Sequence, residues 1–135
     1  MNGRGISDAL KAGAAAAQLG TAFLTCEEAG TSKPYQRALL EPGTKHTRLT
    51  RAFSGRLARG IENRFMLEME NQTDAILPWP AQNVFTRDLR KASAEHDSPD
   101  FLSLWAGTGL NSLRPMKAAQ LVETLLSELK YAQKA

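Results

Sequence analysis

The chain has 135 residues, 42% of them hydrophobic and 23% charged, which is the size and balance of one globular domain rather than a disordered segment. Its longest uncharged stretch, Ala12 to Cys26, is broken by glycines, a glutamine and threonines and is shorter than the ~20 apolar residues a membrane span requires. The net charge of +3 is modest, no secretory leader pattern stands at the start, and the single cysteine, Cys26, has no internal partner. A reducing, cytoplasmic setting is expected.

Taken in chain order, Ser7 to Gly13 predicts a short helix, with Ser7 as N-cap, Asp8 at the positive end of the helix dipole and Gly13 just past the end. Ala14 to Leu19 is a small, apolar run closed by Gly20-Thr21. It predicts a parallel strand buried on both faces, so the unit reads helix, glycine, strand, Gly-Thr. Pro34 to Leu40 predicts a helix opened by proline at its first position and stopped by Pro42-Gly43. His46 to Phe53 predicts a second, weaker strand. Leu57, Ile61, Phe65 and Met69 recur at every fourth position and predict an amphipathic helix over 57–70.

Pro78-Trp-Pro80 breaks the chain and opens a helix on which Val84, Phe85, Leu89 and Ala92 share a face. Phe101 to Leu104 is a short apolar run leading into Trp105-Ala-Gly-Thr-Gly109. Pro115 opens the last helix, with Ala118, Val122, Leu125, Leu126 and Leu129 expected on its buried side. A lone parallel strand is unstable, because its backbone groups need neighbours on both sides and each buried group left unpaired costs about 1–3 kcal/mol. Those neighbours are expected upstream of Met1.

The residues that carry chemistry are those where the buried strand ends. A glycine there lets an anion approach the backbone closely, Thr21 adds a hydroxyl and an N–H donor, and Gln18 offers an amide to a ring or a polyol. Barrel enzymes build phosphate sites from such loops. A Gly-Thr pair after a short apolar run also occurs where nothing binds, so these residues alone leave both readings open.

The block from Asn2 to Phe23 resembles the last helix-strand unit of nitronate monooxygenases, formerly 2-nitropropane dioxygenases, and FMN barrels more broadly. The likeness continues through Thr47-Arg-Leu-Thr-Arg-Ala-Phe-Ser-Gly-Arg-Leu-Ala-Arg-Gly-Ile-Glu-Asn-Arg-Phe65. Pro78-Trp-Pro-Ala-Gln-Asn-Val-Phe-Thr-Arg-Asp-Leu-Arg90 and Ser103-Leu-Trp-Ala-Gly-Thr-Gly109 resemble the family's carboxyl-terminal helical segment. The resemblance implies an α/β fold class. The chain is then the C-terminal end of a (β/α)8 TIM barrel plus a helical extension, itself mostly helical with one or two short strands. Residues 1–53 are read as the last helix-strand unit and the segment after it, and residues 54–135 as the extension of the same domain.

The resemblance further implies FMN as cofactor, with Gln18, Leu19, Gly20 and Thr21 around its phosphate. It implies oxidation of an alkyl nitronate by O2 to a carbonyl compound and nitrite, through one-electron transfer to the flavin. The family's Gly-Gly-Ile phosphate loop would precede Met1, as would the strands holding the flavin ring and the histidine that handles the substrate proton, so no catalytic residue is expected within this chain. A whole barrel takes roughly 250 residues. The chain therefore reads as a fragment, catalytically silent alone and binding FMN weakly if at all.

Two other readings stand beside this one. An FMN-dependent enoyl-acyl-carrier-protein reductase shares the Gly-Thr block but not the long tail after Phe53. A small basic binding module would use Lys45, Arg48, Arg51, Arg56, Arg59 and Arg64, which are accompanied by one acid, Glu62. That stretch lacks the interleaved aromatics of a single-strand binder, so pairing and a solvated face are preferred, with no nucleic-acid or membrane partner expected. His46 and His96 have no metal-ligand spacing, and no metal is expected. Cys26 precedes Glu27 and Glu28, whose charge opposes thiolate formation. Trp79, Gln82 and Trp105 are weighed as pocket residues against the blander reading of packing.

Overall fold

A computed structural model describes residues 2–41 and 46–134. Their elements are helices α1 (Gly3–Lys11), α2 (Lys33–Leu40), α3 (Arg64–Glu68), α4 (Ala81–Phe85), α5 (Arg87–Glu95) and α6 (Ala118–Lys134), and strands β1 (Thr47–Thr50) and β2 (Ala58–Ile61). They group into two compact units, one of Met1–Thr31 with Gly109–Ala135, the other of Ser32–Thr108. No helix among the described residues is long and apolar enough to cross a membrane.

In the first unit, α1 begins earlier than the sequence suggests. Asn2, not Ser7, is the cap: its side chain accepts from the Gly5 N–H at 3.0 Å. Ser7 lies within the helix, 1% exposed. The expected end holds, because Gly13 follows the last turn with a φ of +94°, a left-handed conformation that favours glycine. The two ends of the unit meet where α1 packs on α6. The buried side chains of α6 are Leu121 and Leu125; Val122 and Leu126, expected inside, are exposed. The difference is a rotation of the helix that turns Leu121 and Leu125 onto Ala22 and Cys26.

The strand expected over Ala14–Leu19 does not form a ladder. Those residues have no regular secondary structure, and most are exposed. The physical reason is the one that makes any lone strand unstable: among the described residues no strand lies beside it to pair with its N–H and C=O groups.

In the second unit, α2 follows Ser32 and ends at Leu40; Pro34, expected at its first position, is its second residue and still inside the first turn. Pro42 and Gly43, read as its stop, lie outside the described residues. The weaker strand is borne out as β1. It pairs antiparallel with β2, Arg48 opposite Gly60 and Leu49 opposite Arg59.

That pairing overturns the first half of the helix expected over 57–70, whose second half forms as α3. Residues 58–61 are a strand because both of their edges find partners. β1 lies on one side; on the other, Ile61 N–H donates to Leu104 O (2.9 Å) and Ala106 N–H to Arg59 O (3.1 Å). Gly60 permits this approach, since a Cβ there would stand 2.9 Å from the Leu104 carbonyl oxygen. Asn63 then caps the short α3, accepting from Met66 N–H at 3.2 Å while its amide donates to Pro99 O (2.9 Å) and Leu102 O (2.7 Å). Phe53, 1% exposed, centres the unit's aromatic packing, with Phe65 at 4.9 Å and Trp105 edge-on at 5.7 Å between ring centres.

Helices α4 and α5 are turned opposite to their apolar pattern. Val84, Phe85 and Leu89 are 53%, 75% and 37% exposed, whereas Gln82, Thr86 and Ser93 are buried. Hydrogen bonding decides the orientation. Gln82 donates to Ala52 O (2.5 Å) and accepts from Leu77 N–H (3.0 Å), and Thr86 Oγ1 donates to Phe53 O (2.6 Å). These side chains satisfy main-chain groups that no strand reaches.

Candidate functional site

The four residues expected around a phosphate are consecutive, and the structure gives them unequal roles. Gln18 and Gly20 are exposed and Thr21 is half-buried. Leu19 packs its side chain on the cluster of Ala22, Cys26, Leu121 and Leu125, so only its main chain can face a ligand. A tight turn over Thr21–Thr25 follows Gly20, whose carbonyl accepts from Phe23 N–H at 3.0 Å.

Gly20 has a φ of −112°, so no left-handed conformation calls for glycine there. Access gives the better reason. Nothing lies within 4 Å of the position a Cβ would take, leaving the backbone open to a group approaching from that side. Amide N–H groups at a turn, a neighbouring hydroxyl and an unobstructed glycine form a donor set suited to phosphate oxygens. The residues present therefore fit a phosphate ester.

Behind this turn the chain is held from its other end. Thr25, 5% exposed, donates its hydroxyl to Arg114 O at 3.1 Å. The Arg114 guanidinium pairs with Glu128 at 2.8 Å, and the second oxygen of Glu128 accepts from Gly3 N–H at 2.7 Å. The Gly3 amide and the Arg114 guanidinium hold the Glu128 carboxyl below the ordinary carboxylate range. Glu28 accepts from Ala118 N–H with both oxygens, at 3.0 and 3.2 Å, at the start of α6. Sequence reading missed Thr25, Glu28, Arg114 and Glu128 as a group, because Thr25 and Glu28 stand about ninety residues from Arg114 and Ala118 and no local spacing marks them. Burial, then the Glu28 charge, pushes the Cys26 thiol up, so this buried cysteine is not a poised nucleophile.

Of the aromatic and amide candidates, Gln82 is a buried structural side chain. Trp105 packs on Phe53, and its carbonyl accepts from Tyr35 O–H at 2.5 Å; burial pushes that phenol up to about 12. Trp79 remains 47% exposed, with the Arg56 guanidinium 5.5 Å above its ring. The arginine stretch is largely engaged within the chain. Arg48 pairs with Glu62 and Glu70, Arg64 with Glu68, Arg51 with Gly55 O, and Arg59 with Thr47 O. Lys45 lies outside the described residues. Among the described residues no three His, Cys, Asp or Glu side chains gather as a metal site.

A family model described as nitronate monooxygenase matches residues 1–128. A nitronate monooxygenase from Pseudomonas aeruginosa is 40% identical over 131 residues, which is 96% of this chain and 37% of that protein. A probable nitronate monooxygenase from Bacillus subtilis is 39% identical over 126 residues, 93% of this chain and 36% of the relative. The chain thus spans little more than a third of the length of these relatives.

Among solved structures, nitroalkane oxidase from Streptomyces ansochromogenes superposes with a TM-score of 0.92 at 45% identity, over 99% of this chain and 38% of that one. FabK from Thermotoga maritima superposes with a TM-score of 0.73 at 25% identity, over 98% of this chain and 42% of that one. The fold class is as expected: α/β, the carboxyl-terminal end of a (β/α)8 barrel with a helical extension, mostly helical with two short strands among the described residues.

Proposed function

The chain belongs to the nitronate monooxygenase family of oxidoreductases, and from that premise we propose that it is the carboxyl-terminal part of an FMN-dependent enzyme that oxidises alkyl nitronates. The observation that carries the reading is the family match over residues 1–128. In this reading residues 1–53 close the barrel and residues 54–135 form its extension. Gly20 and Thr21 hold the FMN phosphate through main-chain N–H groups and the threonine hydroxyl. Gln18 offers its side-chain amide beside them, and Leu19 contributes its main chain while its side chain anchors the turn.

The flavin, when bound, supplies the one-electron chemistry that takes nitronate and O2 to a carbonyl compound and nitrite. This chain's residues bind and orient; the group that moves the substrate proton belongs to a part of the enzyme outside this sequence. Ala14–Leu19, unpaired here, then becomes a barrel strand once neighbours are supplied on both sides.

The 40% identity with a nitronate monooxygenase and the 45% identity with a nitroalkane oxidase support the nitronate reading. The arginines that a basic binding module would need are mostly engaged on carboxylates and carbonyls of the chain itself.

The test is an assay of the purified chain for O2 consumption and nitrite release with an alkyl nitronate and added FMN. No turnover and only weak FMN binding are expected. Turnover by the chain alone would sink the fragment reading. The open reading frame upstream of the Met1 codon is expected to continue and encode Gly-Gly-Ile; a stop codon there would count against it.

A further inference from the structure

The Gly20–Thr21 turn is built at one end of the sequence and supported from the other. Three links join them. Thr25 donates to Arg114 O at 3.1 Å from a position 5% exposed. The Glu28 carboxylate takes the Ala118 N–H at the positive end of the α6 dipole. Ala22 and Cys26, 6% and 2% exposed, pack on Leu121 and Leu125.

Between Gly20 and Glu28 the backbone is a relay of tight turns. Phe23 N–H donates to Gly20 O (3.0 Å), Cys26 N–H to Phe23 O (3.1 Å), and Ala29 N–H to Cys26 O (3.1 Å). A displacement at Glu28 or Thr25 therefore has a short, hydrogen-bonded route to Gly20.

We propose that Thr25 and Glu28 are positioning residues, through which α6 fixes the backbone of the Gly20–Thr21 turn and hence its affinity for a phosphate ester. The inference rests on the reading of Gly20 and Thr21 as the FMN phosphate turn. Both residues spend their polar atoms on the chain itself. Thr25 is buried against the main chain of Arg114, and both carboxylate oxygens of Glu28 are directed at Ala118. A role confined to capping α6 makes a different prediction: loss of Glu28 would then fray the start of α6 and leave the turn as it was.

The experiment compares amide exchange and amide NMR shifts in the full chain and its variants T25V, E28A and E28Q. Exchange at Phe23 and Cys26 is expected to quicken about tenfold in T25V and E28A, the scale of a local opening made easier. The Gly20 and Thr21 resonances should move with it, and E28Q, which keeps an acceptor oxygen, should restore most of the protection. Faster exchange confined to Ala118–Leu121, with Gly20, Thr21, Phe23 and Cys26 unchanged, would overturn the proposal. If E28A does not fold, T25V carries the same two outcomes, because it trades a hydroxyl for a methyl at nearly constant volume.

A second arm titrates FMN and follows the Thr21 amide. About tenfold weaker binding in T25V and E28A, a loss of ~1.4 kcal/mol, is expected; equal binding in wild type and variants counts against the coupling. A Thr21 amide unmoved by millimolar FMN in the wild type fits a turn that binds only within the whole barrel, and the exchange data then decide whether α6 holds the turn.

Discussion

Glu128 accepts the Gly3 amide at 2.7 Å, and the two residues stand so close that a Cβ added to Gly3 would lie 2.3 Å from the Cβ of Glu128. The contact lets α1 and α6 approach at backbone distance, and a carboxylate from one helix caps the other. Gly3→Ala is expected to push the helices apart and cost about 1–3 kcal/mol, the usual range for overpacking. Urea unfolding checks this. A midpoint unchanged from wild type would mean that the helices do not meet this closely.

The same pair sets a pH dependence. The folded-state pKa of Glu128 is depressed, so its contribution to stability is fully present above the unfolded carboxylate value and is lost as pH falls through the lower folded one. Stability should decline on acidification from the ordinary carboxylate range downward. In E128Q that part of the decline should be missing. Urea midpoints measured down an acid series in both proteins give the comparison, and parallel curves would exclude this contribution.

Gln82, 2% exposed, joins α4 to the segment after β1 by a side-chain hydrogen bond to Ala52 O. Gln82→Leu should cost about 1–3 kcal/mol, since it leaves the Ala52 carbonyl and the Leu77 amide to find other partners. Gln82→Glu should cost more despite its similar shape, because it loses the donor to Ala52 and buries a charge. The order of the two variants in thermal unfolding is the check; Glu tolerated better than Leu would contradict the hydrogen-bond assignment.

Phe85 is 75% exposed on the same pair of helices. Phe85→Ser is expected to leave unfolding free energy within about 0.5 kcal/mol of wild type, as for surface positions generally. It should also lower the binding of a hydrophobic dye, since the ring is part of an outward apolar face with Val84 and Leu89. A large loss of stability would show the ring to be buried within the chain.

Legibility in the sequence followed the range of the interactions concerned. Gly13 and Pro34 act within one turn, and the helix ends they mark are where the pattern put them. The period-four pattern from Leu57 to Met69 was outweighed by a long-range ladder to Leu104 and Ala106, which no local spacing reveals. Ala14–Leu19 has the composition of a buried strand, yet composition supplies no neighbour. For the candidate site, Gly20 and Thr21 are legible as a short motif. Their support by Thr25 and Glu28 is not, because the acceptor and donor that explain those residues stand about ninety positions away.

The arginine stretch has a consequence for how the molecule meets its solvent. Arg48 spans Glu62 and Glu70, and Arg64 bonds Glu68, so part of the positive surplus read from composition is balanced across the hairpin and its following helix. Added salt should screen these pairs within the chain rather than compete with a partner. It would loosen the tie between β1 and the segment after β2 before it released anything bound at the surface.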